Sequence, residues 1–383
     1  MKYSNDLPYW LALWRVPRIG PVLFNSLLDH IGSDLKILFH QSASKLQSLG
    51  LKPNQIKLLH DFTHQSQCTL RSQIQRDLDW LALDNNHILT RSDSRYPSLL
   101  STIPSAPPVL FVKGDLDVLR FPQIAIVGSR HPTRQGKENA WQFAKHLVEK
   151  GFICTSGLAM GIDAAVHEGA LAGDGYTVAV MAHGLDQIYP KRNQKLAEQV
   201  VESGVLISEY PIGVGPRAEY FPRRNRIVSG MSLGVLVVEA AKKSGSLITA
   251  REAIQQNREV FAIPGSIHNP LAKGCHELIR QGAKLVDSAE HLIEELSAIV
   301  GAHKQMELAL TGLDEEPGNS LHVKDYPSGS VEEKLMNVLE YEPCSVDDLI
   351  QVTGLSVSEV NSALVMMELD GVISGTHQGY LLA

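Results

Sequence analysis

The sequence predicts an α/β protein, on three observations. Six short β-branched runs recur between Gln123 and Asp287: IAIVG from Ile124, FICTSG from Phe152, TVAVM from Thr177, GVLIS from Gly204, LGVLVVEA from Leu233 and EVFAIPG from Glu259. Each run is apolar throughout rather than alternating, which suits a parallel strand covered on both faces. Amphipathic stretches separate the runs, as in Thr133 to Lys150, where Ala140, Phe143, Ala144, Leu147 and Val148 share one helical face. A Rossmann-like parallel sheet is therefore the expected core, with a helical domain before it and a winged-helix domain after it.

Residues 1–85 are expected to form the helical domain. LWRVPRIGPVLFNSLLDHIGS places Leu23, Leu27, Leu28 and Ile31 at helical spacing after a Pro-x-Ile-Gly-Pro turn, in the manner of a SAM- or helix-hairpin-helix-like domain. Such a hairpin can offer backbone N–H groups to a phosphate, and the same pattern serves helical domains that only pack. The Pro- and Ser-rich segment 91–115 reads as a bridge into the sheet, so that 86–300 form the second domain. Residues 301–329 lack sustained periodicity and read as a linker. From 330 to 383 the order is helix, helix, turn, helix, hairpin, with Ser345 and Ser356 as N-caps and Gly354 between the helices of the turn.

Composition narrows the function. At 383 residues and 44% apolar content the chain can bury two or three cores. Its four cysteines, Cys68, Cys154, Cys275 and Cys344, show neither C-x-x-C nor zinc spacing, so no metal, no disulfide framework and a cytoplasmic location are expected. No run reaches the ~20 apolar residues of a membrane span. The net charge of −7 is unevenly placed: in 330–383 nine acids face Lys334 alone, giving −8, which leaves the first 329 residues at +1.

Motifs gather at the carboxyl ends of the strands, where open α/β sheets bind ligands. IVGSRHPTRQG lacks the G-x-G-x-x-G of a dinucleotide site, and no cofactor is expected. It offers instead Gly128 for close backbone approach, the Ser129 hydroxyl and the Arg130 fork, or else a tight turn with an exposed arginine. In TSGLAMGIDAAVHEGAL, Ser156, Gly157 and Gly161 can turn N–H groups towards an anion, with Asp163 as a cap. Asp163 and His167 are read as a hydrogen-bonded pair that orders this loop rather than as a catalytic or metal pair, since no third ligand or nucleophile supports them.

A third loop supplies Lys191, Arg192 and Lys195 beside Tyr189, or simply a solvated helix start. Ser244, Gly245 and Ser246 precede a helix in which Thr249 and Glu252 suit a capping box. AEYFPRRNRIVSGMS then places Arg223, Arg224 and Arg226, with Asn225 among them, just before an apolar segment. The bland reading of this trio is a surface loop held by ion pairs to Glu219 or Glu239. Together with Arg130, Lys191 and Arg192, and with Tyr189, Tyr220 and Phe221 interleaved, it suits a polyphosphate with exposed bases: single-stranded nucleic acid.

The motifs VGSR from Val127, SGLAMGIDAAVHEGAL from Ser156, YPKRN from Tyr189, SEYPIG from Ser208, FPRRNRIVSGMS from Phe221 and VVEAAKKSGSLITA from Val237 resemble, in order, those of the DNA-processing protein A (DprA/Smf) family. The resemblance implies a cytoplasmic homodimer without catalytic activity that binds incoming single-stranded DNA during natural transformation. It also implies loading of the RecA recombinase in the presence of single-strand binding protein. Family DNA contacts carry over to Arg130, Lys191, Arg224, Asn225 and Arg226, leaving open whether Arg223 or Arg224 faces the strand.

Two other readings compete. A nucleotide-cleaving enzyme of the lysine-decarboxylase-like group would employ Glu239, but the chain lacks the Gly-Gly run that would hold a mononucleotide phosphate. A duplex-reading regulator would need basic residues on its recognition helix, whereas Ser356 to Asp370 carries Glu359, Glu368 and Asp370 and no Lys or Arg. That helix favours a protein-contact or autoinhibitory role, or a structural add-on.

Overall fold

A nine-stranded, mostly parallel sheet organises the protein in the computed structural model, which describes residues 6–32, 34–296, 326, 329–339, 343–369, 372–376 and 379–382. The strands are β1 (Asn86–Thr90), β2 (Val109–Gly114), β3 (Gln123–Val127), β4 (Ile153–Ser156), β5 (Thr177–Met181), β6 (Gly204–Ser208), β7 (Gly234–Val237), β8 (Glu259–Ala262) and β9 (Lys284–Leu285). Their order is β1-β2-β6-β5-β4-β3-β7-β8-β9. The six β-branched runs are β3 to β8, and every pairing among them is parallel; Ile124, for example, faces Cys154 on one side and Gly234 on the other. From β3 the chain builds outward to β6, then returns to lay β7 on the opposite side of β3. The strand order thus reverses at β3, and a crevice opens there between the loops that follow β3 and β7.

The bridge of 91–115 holds more structure than its prolines suggest. After Pro107 and Pro108, β2 pairs antiparallel with β6 through Phe111 and Ser208, and β1 pairs antiparallel with β2. Val109 to Val112 are all fully buried. The two prolines precede the first paired residue and so remove no donor from the ladder.

Helices cover both faces. The N-terminal segment forms α1 (Leu7–Arg15), α2 (Pro21–Ile31), α3 (Lys36–Phe39), α4 (Ala43–Ser48), α5 (Pro53–His64) and α6 (Thr69–Leu81). Trp10, Leu11, Phe24 and Trp80 of this segment share one core with Phe111 of β2, Met181 of β5 and Leu206 of β6. After α7 (Ser98–Ser101) come α8 (Arg134–Glu149), α9 (Ile162–Ala172), α10 (Gln194–Glu202), α11 (Tyr220–Gly230), α12 (Ser246–Gln255), α13 (Lys273–Arg280) and α14 (289–296). The α8 boundaries follow its caps: Thr133 Oγ1 accepts from Gly136 N at 2.9 Å, and the apolar face of Ala140, Phe143, Ala144, Leu147 and Val148 is buried.

The expected linker, 301–329, lies almost wholly outside the described residues. Beyond it, α15 (Val331–Met336), α16 (Val346–Thr353), α17 (Val357–Leu369), β10 (Ile373–Thr376) and β11 (Gly379–Leu382) give the winged-helix order. Ser345 caps α16 through Asp348 N, Gly354 ends it at φ 68°, and Ser356 and Glu359 exchange backbone bonds in a capping box. The recognition helix α17 packs on the sheet domain. Asn361 Nδ2 donates to Glu149 O at 2.7 Å and Ser362 Oγ to Gly151 O at 3.2 Å, at the amino edge of the sheet and the far end of α8 from the crevice. Among the described residues no single helix is long and apolar enough to cross a membrane, and no group of three or more His, Cys, Asp or Glu could hold a metal.

Candidate nucleic-acid interface

The crevice at the strand-order reversal is a concavity of about 500 Å³. Gly128, Ser129 and Arg130 line it from the end of β3, Phe221, Arg224 and Asn225 from α11, and Lys243, Ser244, Gly245, Ser246 and Thr249 from the start of α12. Three separately expected motifs therefore meet at one place. Lys243, which sequence reasoning does not single out, joins them; its only signal is a lysine directly preceding the Ser-Gly-Ser turn.

The glycines allow close approach of backbone. A side chain at Gly128 would meet Ile162 at 2.6 Å, and one at Gly161, at φ 84°, would overlap the carbonyl of Ser129. Ile162 N donates to that carbonyl at 3.1 Å, tying the β3 and β4 loops together. Ser129 Oγ accepts from His131 N at 3.1 Å. Ser156 is turned inward instead: it is fully buried and donates to Ile126 O at 2.7 Å, so it braces β3 rather than facing the crevice.

The arginine trio divides. Arg223 is exposed. Arg224 is 4% exposed and lies against the α-carbon of Gly157, with its Nε buried and unpartnered. Burial lowers its pKa, while Asp163 acts against this. Arg226 is buried and paired through Nη2 with a carboxylate oxygen of Glu209, itself 4% exposed. Neither Glu219 nor Glu239 is the partner. The expectation that Arg226 presents its fork to a phosphate does not fit this placement, because the side chain is engaged in an internal pair. Helical geometry explains the split: residues two apart in α11 point ~200° from each other, so Arg224 and Arg226 enter opposite walls.

Aromatic rings border the crevice. The Arg130 guanidinium sits 5.3 Å from the centroid of Phe221, and Tyr189, 48% exposed, meets Phe221 at 5.8 Å. A second pair, Tyr210 and Tyr220, stacks at 4.3 Å with Arg217 over Tyr220, and neither ring lines the concavity. Lys191 and Arg192 are exposed beside Tyr189, and Arg192 Nη1 reaches Met160 Sδ at 3.4 Å. Asn193 fixes this loop by donating to Leu158 O at 2.9 Å. A row of cations and rings thus runs from the β5 loop across the crevice.

Two further expectations need correction. The α12 helix begins at Ser246, so Thr249 lies within it; the N-cap is Gly245, which has no side chain to cap with, and Ser244 Oγ accepts from Ser246 N at 3.4 Å in the turn before it. Asp163 does order its loop, accepting from Ala159 N, but His167 is not its partner. The His167 Nδ1 meets Thr177 Oγ1 at 2.7 Å, Thr177 donates to Cys154 O, and Nε2 is buried without a partner. Burial, with the nearby Arg224 charge adding to it, lowers the His167 pKa to about 3. Burial likewise raises the Asp163 carboxyl, which Arg224 opposes. Glu239, the rival candidate for catalysis, accepts from Thr133 N at 2.8 Å and Thr133 Oγ1 at 2.6 Å, and so secures the start of α8.

Comparison with known proteins identifies the family. A family model described as DNA recombination-mediator protein A matches residues 87–297, and one described as the DprA winged helix domain matches 324–379. The Smf protein of Escherichia coli is 40% identical over 98% of this chain and 96% of its own. The X-ray structure of DNA processing protein A from Streptococcus pneumoniae superposes with a TM-score of 0.65 at 35% identity, covering 77% of this chain and 99% of that one. DNA processing protein A from Helicobacter pylori, described for its single-stranded DNA binding mode, gives a TM-score of 0.51 at 29% identity over 56% of this chain and 96% of its own. With two family models and a near full-length relative in agreement, the chain belongs to the DNA recombination-mediator protein A (DprA) family.

Proposed function

We propose that the chain binds single-stranded DNA along the carboxyl rim of its parallel sheet and acts in DNA processing during transformation. The observation that carries this reading is the convergence of Arg130, Arg224, Lys243 and the α12 start on one crevice flanked by Phe221 and Tyr189. Cations there would meet successive phosphates, and the rings would stack on bases without regard to sequence. The described binding mode of the Helicobacter pylori relative supports it. Gly128, Ser129, Gly157, Gly161, Lys191, Arg192, Asn225, Ser244, Gly245 and Ser246 complete the proposed surface, with Ser156 and Arg226 acting behind it.

In the same reading the chain is a cytoplasmic homodimer without catalysis, which protects incoming DNA and hands it to the RecA recombinase in the presence of single-strand binding protein. Exposed Ile254 of α12, Ile267 after β8 and Leu285 of β9 suit the dimer contact. The direct test is a titration with single-stranded and duplex oligonucleotides at several salt concentrations. Tighter, salt-sensitive binding of the single strand is expected, and equal or weaker binding of it contradicts the proposal. Sedimentation of the chain cut at Gly301 tests the dimer, which should persist.

A further inference from the structure

We propose that the N-terminal helical domain governs DNA binding without touching DNA, with Trp14, Arg15, Asp77 and Glu209 as positioning residues that set the roll of α11 and so aim Arg224. The inference rests on the single-strand reading above and goes beyond it.

The loop that joins β6 to α11 is held from the helical side. Trp14 Nε1 donates to Glu209 O at 2.7 Å. Arg15 grips the Asp77 carboxylate through Nε and Nη2, both at 2.6 Å, and Nη2 also donates to Ile212 O at 3.0 Å. Asp77 in turn accepts from Ile212 N at 3.1 Å. Asp77 is fully buried, so this bidentate pair is an internal fastening rather than a surface one. Both the N–H and the C=O of Ile212 are thereby fixed to two helices of another part of the chain.

The Glu209 side chain carries that fastening onward to Arg226, whose own carbonyl accepts from Gln256 Nε2 at 3.0 Å. An arginine held at side chain and backbone leaves α11 little freedom to turn about its axis. Arg224, on the opposite wall of the same helix, is thus kept over Gly157 and in the lining of the concavity. None of Trp14, Arg15, Asp77 or Glu209 lines the concavity. A direct DNA role for Arg226 and a positioning role make different predictions. A direct contact lowers the slope of log affinity against log salt by roughly 0.7 only when Arg226 itself is replaced, whereas misaiming α11 costs the Arg224 contact and lowers the slope alike in Trp14→Phe, which removes no charge.

The experiment uses the full chain and compares wild type with Trp14→Phe, Glu209→Gln and Arg226→Gln on oligo-dT across a salt series, each variant first shown to be folded at the assay temperature. Each is expected to bind about threefold or more weakly, the scale of one missing hydrogen bond, with the salt slope lowered alike in all three, by up to roughly 0.7, as the Arg224 contact is lost. Hydrogen exchange of peptide 220–230, which needs no DNA, should quicken in Trp14→Phe and Glu209→Gln. Wild-type exchange in α11 in both variants overturns the proposal, and so does a slope lowered in Arg226→Gln alone. If wild type fails to bind oligo-dT while α11 exchange still quickens, the single-strand reading has failed and the positioning relay stands.

Discussion

The Arg224 guanidinium rests on the α-carbon of Gly157, so closely that a methyl group there would overlap Cζ and both terminal nitrogens. The glycine is thus required by the arginine, not by its own backbone angles. Gly157→Ala must push Arg224 from its buried seat. A loss of single-strand affinity of about tenfold, or ~1.4 kcal/mol, is expected by fluorescence anisotropy, with Gly157→Ala still folded by circular dichroism. Wild-type affinity in this variant would show that the seat of Arg224 does not matter.

Much of the fold is legible in the sequence, for identifiable reasons. Strands buried on both faces write themselves as unbroken apolar runs, so β3 to β8 are readable, as are Gly128, Arg130 and the Ser244 turn at their carboxyl ends. β2 is not, because Pro107 and Pro108 mask a strand that starts just after them, and β1 (Asn86–Thr90) opens on two polar residues rather than on an apolar run. The fate of Arg226 is also hidden. Its partner Glu209 lies 17 positions away on another loop, and no local spacing marks which arginine of a helical trio turns inward. His167 misleads for a similar reason: position i+4 from Asp163 suggests a pair, but the contact that forms is to Thr177 on a neighbouring strand.

Stability should carry the signature of His167. Its folded pKa of about 3 lies below the ordinary histidine value near 6.5, so the unfolded chain takes up a proton that the folded chain does not. The contribution is complete above the ordinary value and is lost as pH falls towards the folded one. Asp77, Asp163 and Glu209, whose pKa values burial raises, contribute with the opposite sign. Comparison with a His167→Gln variant cancels those terms. Urea unfolding at pH 7 and pH 5 should show wild type losing about 2 kcal/mol relative to the variant; parallel losses would contradict a neutral buried imidazole.

The winged helix is expected to add nothing to DNA affinity. Its charge of −8 opposes the counterion release that drives such binding, and α17 commits Asn361 and Ser362 to the amino edge of the sheet. Removing 330–383 should leave single-strand affinity unchanged or raise it. Separately, Gly151 sits at φ 86° with Asn361 O 2.8 Å from where a side chain would begin, so Gly151→Ala should release the domain. Limited proteolysis should then cut Gly151→Ala between 297 and 325 faster than wild type. A tenfold loss of affinity on deletion would reverse the charge argument.

The central claim is that the rim of the parallel sheet grips the phosphates of a single strand. A salt titration on oligo-dT with wild type, Arg130→Ala, Lys191→Ala and Arg224→Ala tests it most directly. Each variant should bind more weakly, independently of base sequence, with the slope of log affinity against log salt reduced by roughly 0.7 for each phosphate no longer gripped. Arg224→Lys should recover only part of the loss, since an ammonium cannot form the two parallel bonds of a guanidinium. Wild-type slopes in all three well-folded alanine variants would place the DNA elsewhere on the molecule.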